Sequence, residues 1–409
     1  MSSSPSTFDT IRIGFYNELT SALNLPTHRQ FQMLQPAAPI PANSDVQITN
    51  FFNLIPAETL STNAVPVIGN QFYSNFSGLL SALVGVTNTF SQDVGTVCEA
   101  AWQKYVGGLV PTPQFKQWPQ LFQQWAMMNG YSSVANKGAN DLSQALLDPV
   151  TAAQFEMDAA TGPSWDQGYA ALVAQLAVAP GLEFLAASST WSTSSSETWA
   201  NSSQDAVFGL WSTDSSSSQE SSQFAASDIT ITGSFAHVTT FMAVPGAWYS
   251  SAAMGLAYSH ETGSPWNPGS DIDWQNTFAD PGGNLARFTN SLIVVSGMTI
   301  TVTSSAVFSA ESQSLITSNQ SAGLWPFYNE SSSSGTSSSA AFNAAGNMTI
   351  TITSPGDTPI VLGMNVVPVS AYVGSAVEGA RMHAAALAAA QAPQSLAAEQ
   401  PAILIATPA

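Results

Sequence analysis

Apolar and polar positions divide this chain into two regimes. In the first, apolar residues recur three and four apart. Phe8, Ile11, Phe15, Leu19 and Leu23 fall on one face of a helix. Thr7 is placed to cap it, and Leu25-Pro26 stops it. A Pro-rich stretch from Gln35 to Pro41 reads as a connection. Further helices are expected near 70–85, 89–106, 113–129, 140–160 and 166–187. Gly107-Gly108, Pro111, Gly130, Gly162-Pro163 and Pro180-Gly181 punctuate them.

Beyond Ala186 the period shortens to two. Ile229-Thr230-Ile231-Thr232, Met298 to Thr303 and Met348 to Thr353 all alternate apolar with threonine. That pattern describes strands with one face on a core and one in water. Ser354-Pro355-Gly356-Asp357 is a turn sequence, and Ile360 to Met364 is expected to pair back from it as a hairpin. Ala376 to Ala390 is Ala-rich and helical by propensity. The expected fold class is therefore α+β. It has an N-terminal helical bundle (1–185), an antiparallel β-sandwich (186–370) with a Ser-rich β-ribbon (188–234), and a C-terminal Ala-rich helix with a loose tail (371–409).

The Ser-rich stretch admits two readings. Residues 188–234 hold 17 serines, a composition common in flexible linkers. Yet Trp191, Trp199, Val207 and Trp211 all share one parity, so in a strand they would line one face. Trp191 and Trp199 would then lie about 26 Å apart, close to the apolar band of a membrane barrel, about 25 Å tall. This pattern resembles the insertion hairpins of β-pore-forming proteins over about a tenth of the chain. The resemblance implies a hairpin stored in water and later inserted. Trp191, Trp199, Val207, Phe208, Leu210 and Trp211 are the insertion candidates, and Ala206 to Trp211 would be the tip. Glu197 shares the lipid-facing parity and would have to be protonated there.

Charge sharpens this picture. Only 8% of residues are charged, against roughly 25% in typical soluble proteins. There are 26 acids and 7 bases, a net charge of −19. That balance argues against nucleic-acid binding, which needs clustered bases, and against a polybasic lipid anchor. It leaves insertion driven by apolar area open. Arg287 is the one base between 186 and 370, so the scarcity falls on the β half. A low-charge surface also suits packing between copies, so a homo-oligomer is expected.

Catalytic signatures are missing from the sequence. It holds no phosphate loop, dinucleotide fingerprint, H-E-x-x-H or G-x-S-x-G. Cys98 is the sole cysteine and reads as a buried thiol. His28, His237, His260 and His383 lie in separate segments. No metal or cofactor is expected, and an enzyme is less expected than a non-enzyme. The N-terminal sequence carries no Sec-type leader and no run of 18 apolar residues occurs, which points to the cytoplasm or to release by a non-Sec route.

One loop gathers polar chemistry. Between 259 and 283 lie His260, Glu261, Asp271, Asp273 and Asp280, with Trp266 and Trp274 beside them. Carboxylates bind hydroxyls and indoles stack on sugar rings, so a glycan site is one candidate. Two carboxylates can serve glycoside hydrolysis at about 5–10 Å, and Asp271 with Asp273 can contribute to a Ca²⁺ site. Three functional expectations follow. They are a self-assembling membrane-active protein, a structural shell or inclusion protein, and a glycan-binding or carbohydrate-active module.

Overall fold

The computed structural model describes residues 7–25, 31–56, 61–62, 71–85, 89–111, 113–192, 209–212, 218–279, 282–328 and 335–373. The expected C-terminal helix lies outside them. So do Trp199, Val207, Phe208 and Asp280.

The fold is α+β, with helices packed on a sheet curled into a half-barrel, antiparallel except where the short β2 runs parallel to β1. Helix α1 (Thr7–Ala22) buries Phe8, Ile11, Phe15 and Leu19. The Pro-rich stretch that follows is strand β1 (Phe31–Pro39), not a connection. It pairs with a later strand through a register shift between Met33 and Ala38. That irregularity takes in Pro36, which has no N–H to give a ladder. Then come α2 (Asp45–Asn53), the short β2 (Ser61–Thr62) and α3 (Phe72–Ala82).

A helical group follows: α4 (Phe90–Val94), α5 (Thr96–Gly107), α6 (Trp118–Met128), α7 (Ala135–Leu147) and α8 (Pro149–Ala159). The expected helix at 140–160 is interrupted at Asp148. Asp148 ends α7 and caps α8, accepting the Thr151 amide at 2.8 Å. Trp102, Phe122 and Trp125 centre the core of this group, and Cys98 is buried there as expected. Helix α9 (Tyr169–Ala177) ends early. The last part of the expected 166–187 helix is strand β3 (Leu182–Ala187).

After β3 come α10 (Gln219–Ala225), β4 (Ile229–Phe241), α11 (Ser251–Ser259), α12 (Trp274–Phe278) and β5 (Arg287–Val307). They are followed by α13 (Ala310–Asn319), β6 (Ser337–Phe342), β7 (Asn347–Thr353) and β8 (Ile360–Pro368). The expected pair of packed sheets is replaced by one hydrogen-bonded sheet that forks. β5, at 21 residues, is long enough to carry two partners end to end along one side. Its first half pairs with β8, which leads to β1 and β2. Its second half pairs with β7, which leads to β6. β4 runs along the other side, with β3 at the edge.

The expected hairpin from 348–353 into 360–364 is also corrected. The turn at 354–357 carries the chain across to the other fork. Met298 N donates to Ser354 Oγ at 2.9 Å and Gly297 N to the Pro355 carbonyl at 3.2 Å, so β8 joins β5 and β1 instead of β7. One core fills the concavity and draws on both halves of the chain. Phe8 and Phe15 of α1 meet Trp325 edge-on, and the same core holds Ile231, Ile300, Ile350 and Leu362.

Candidate functional site

The Ser-rich window is not a continuous ribbon. It contains α10, capped by Ser218 Oγ, and the first strand residues of β4. Between β3 and α10 the described residues are two anchors. The first is Trp191, 8% exposed, lying against Gly14 of α1. Asn17 of α1 donates through Nδ2 to the Ser192 carbonyl at 2.7 Å. The second anchor is 209–212. Tyr328 Oη donates to the Gly209 carbonyl at 2.6 Å, and Leu210 N to Ser221 Oγ at 2.8 Å. Trp325 N donates to the Leu210 carbonyl at 2.9 Å, and Trp211 bridges to Leu324. Leu210 is fully buried and Trp211 nearly so. In this folded state the two candidate tip residues therefore lie in the core. They are core residues, brought there because the backbone around them is paired on both sides.

In the loop 259–283 the tryptophans are structural. Trp266 is 9% exposed, and its indole Nε1 donates to the His260 carbonyl at 2.6 Å. Trp274 Nε1 donates to the Tyr258 carbonyl at 2.8 Å, and its ring stacks on Tyr258 with centroids 6.0 Å apart. Asp273 caps α12, accepting the Asn276 amide at 2.8 Å. His260 Nδ1 lies 2.9 Å from the Leu256 carbonyl at the end of α11. Glu261 and Asp271 point to solvent. Among the described residues no group of three His, Cys, Asp or Glu side chains is placed to hold a metal ion. The two indoles, Asp273 and His260 are spent on holding the loop together.

Two other features bear on chemistry. Lys137 Nζ sits 2.7 Å from Asp93, joining α7 to α4. The Lys137 contact holds the Asp93 carboxyl below the usual range, whereas burial and the Asp93 charge push the neighbouring Asp141 up. An open cavity of about 440 Å³ lies between Leu83–Gly85 and α8, lined by Thr151, Gln154, Phe155 and Asp158. The Gln154 amide that borders it is committed to the carbonyls of Leu80 and Leu83, at 2.8 and 3.3 Å.

The most regular surface is one that strand-by-strand reading does not reveal. The outward threonines of β4, β5 and β7 stack in register. Thr230, Thr303 and Thr349 form one row, and Thr232, Thr301 and Thr351 the next. Ser234, Thr299 and Thr353 form a third. Ser337, Ser339 and Ala341 of β6 extend the rows on one flank; Glu183, Leu185 and Ala187 of β3 extend them on the other. All the threonines are exposed or half-buried.

Among the described residues no helix is long and apolar enough to cross a membrane. Compared with known protein families, curated proteins and solved structures, the chain matches none.

Proposed function

We propose that the protein is a non-enzymatic, self-assembling, membrane-active protein in which residues 188–228 would convert into an inserted hairpin. A topological observation carries this reading. β3 and β4 are antiparallel neighbours at the sheet edge, with Ala187 opposite Thr230, and the low-charge Ser-rich segment connects them. If that register continued, 191 would face 226, 199 would face 218 and 207 would face 210. The pair could lengthen without disturbing β5. Each limb would reach roughly 65 Å at about 3.3 Å per residue, more than the apolar band of a bilayer requires. Trp191, Trp199, Val207, Leu210 and Phe224 would share the outer face with Glu197, Asp205, Asp214, Glu220 and Asp228, Glu197 standing opposite Glu220. Carboxylates that enter lipid would need their protons, so insertion is expected to rise as pH falls towards 4.

The test is dye release from liposomes between pH 4 and pH 8. A Cys98→Ser, Asn17→Cys, Ser192→Cys protein, cross-linked by a short bismaleimide, should lose leakage that its uncross-linked form retains. Equal leakage at pH 5 and pH 8, or none at any pH, would contradict the proposal.

A specific observation favours a second reading, a structural shell or assembly protein that never converts. Insertion must extract Trp191, Leu210 and Trp211 from the core, and assembly without conversion leaves them in place. Negative-stain images of concentrated protein that show only small single particles would count against it. A glycan role for loop 259–283 draws on what is left exposed there, chiefly Glu261, Asp271 and part of Trp274. A glycan array without hits would end it.

A further inference from the structure

We infer that the outward threonine face of β4, β5 and β7 is the surface through which copies of this chain meet. The inference rests on the self-assembling part of the proposed function and names its interface. The rows have no register break, since Thr299 to Thr303 pair continuously with Ser234 to Thr230 on one side and with Thr353 to Thr349 on the other. No ionisable side chain lies within them. Glu183 and Asp228 lie at the margins, where a contact between copies leaves charge in water.

Net charge makes this absence decisive. A chain with 26 acids and 7 bases repels its copies wherever carboxylates must approach or lose water. An uncharged face avoids both costs. Its hydroxyls are also available. Thr353 Oγ1 shares a hydrogen bond with Ser337 Oγ at 2.7 Å, and Thr303 donates at 3.4 Å to the Thr230 carbonyl. Among the described residues, the side chains of Thr301 and Thr351, at the centre, have no hydrogen-bond partner. They can therefore pair with hydroxyls across an interface, while their methyl groups and stiff χ1 angles supply preordered apolar contact.

Size sets the strength. The three strands alone, at about 4.8 Å spacing and five residues along each, give roughly 500 Å² over two copies, and roughly 700–800 Å² once the flanking β6 and β3 are included. Stable complexes bury about 1,200–2,000 Å². The contact is therefore weak for an isolated pair and suited to repeated use in a larger assembly.

Sedimentation velocity over a concentration series tests this with wild type, Thr301→Glu and Thr317→Glu. Thr317 is an exposed residue of α13, so its variant carries the same added charge away from the face. Wild type should associate as concentration rises. Thr301→Glu should weaken association at least tenfold, and Thr317→Glu should leave it unchanged. Far-UV circular dichroism checks folding, and Thr303→Glu, more exposed on the same face, replaces Thr301→Glu if that chain fails to fold. Equal weakening by the face variant and the control would overturn the interface, and so would no effect of the face variant; in both cases self-assembly would stand. A wild type that stays monomeric at every concentration would remove both. If that monomer instead shaped growing ice crystals, the face would hold ordered water, and the inference would fall.

Discussion

Gly14 lies mid-helix in α1, where alanine ordinarily stabilises by about 1 kcal/mol relative to glycine. Here the sign should reverse. A Cβ at residue 14 falls 2.8 Å from Nε1 of Trp191 and 2.9 Å from Cδ1 and Cδ2. Carbon atoms pack at about 3.5–4.0 Å. The indole has little room to retreat, because it is 8% exposed and its own amide is tied to the Ala187 carbonyl at 3.2 Å. Overpacking of this kind costs about 1–3 kcal/mol. Net of the helix gain, Gly14→Ala should lower stability by about 0–2 kcal/mol. Trp191→Ala alone should cost roughly 3 kcal/mol. In the Trp191→Ala background the overlap is gone, and Gly14→Ala should then stabilise by about 1 kcal/mol. The cycle closes on a coupling of about 1–3 kcal/mol. Urea midpoints of the four proteins, followed by circular dichroism at one pH, measure it. If Gly14→Ala raises the wild-type midpoint as much as it raises that of Trp191→Ala, Trp191 does not pack on α1 as described. The same variant bears on function. Loosening this anchor frees the base of the proposed hairpin, so Gly14→Ala should leak liposomes faster than wild type.

Three further outcomes are expected. Gly363→Ala places a Cβ onto the Gln32 carbonyl oxygen and the Phe31 ring, in a strand flanked on both sides; it should cost about 3 kcal/mol, read as a lowered urea midpoint or loss of soluble protein. Trp266→Ala should destabilise by about 3 kcal/mol and leave the His260 carbonyl without its indole donor, read by thermal unfolding. Burial and the Asp93 charge raise the Asp141 carboxyl, so its contribution to stability is present below about pH 4 and lost as pH rises through the raised value. Asp141→Asn should therefore exceed wild type in urea midpoint at pH 7, with the difference closing at pH 3; a variant less stable than wild type at pH 7 would refute that sign.

How far the sequence could be read depended on whether a feature was local. The face of α1 is fixed by spacing alone, and Phe8, Ile11, Phe15 and Leu19 are buried as their period requires. The alternating strands were legible for the same reason. β1 was not, because Pro36 and Pro39 read as breakers and only a register shift against β8 accommodates the segment. Trp211 has the parity of Trp191, and both are buried. What buries Trp211 is a bridge to Leu324, more than a hundred residues away, and no period in the sequence encodes that contact. In the loop 259–283, tryptophans beside carboxylates suggested a sugar platform. Their indole N–H groups face backbone carbonyls at 2.6 and 2.8 Å, a use that residue types alone do not distinguish from ligand binding.

The threonine face shows where period stops and topology begins. Alternation assigns Thr232, Thr301 and Thr351 to the wet side of their strands, and each alone is an ordinary solvent-facing residue. Pairing turns them into a row. A one-residue slip of β7 against β5 would swap Thr351 for Ile350 or Ile352 on that face. The buried side chains of Met348, Ile350 and Ile352 are what forbid the slip. The uncharged surface is thus held in register by the core beneath it. Thr→Val at these positions should leave the fold intact and alter only what the face meets, whereas Ile350→Thr should disturb both together.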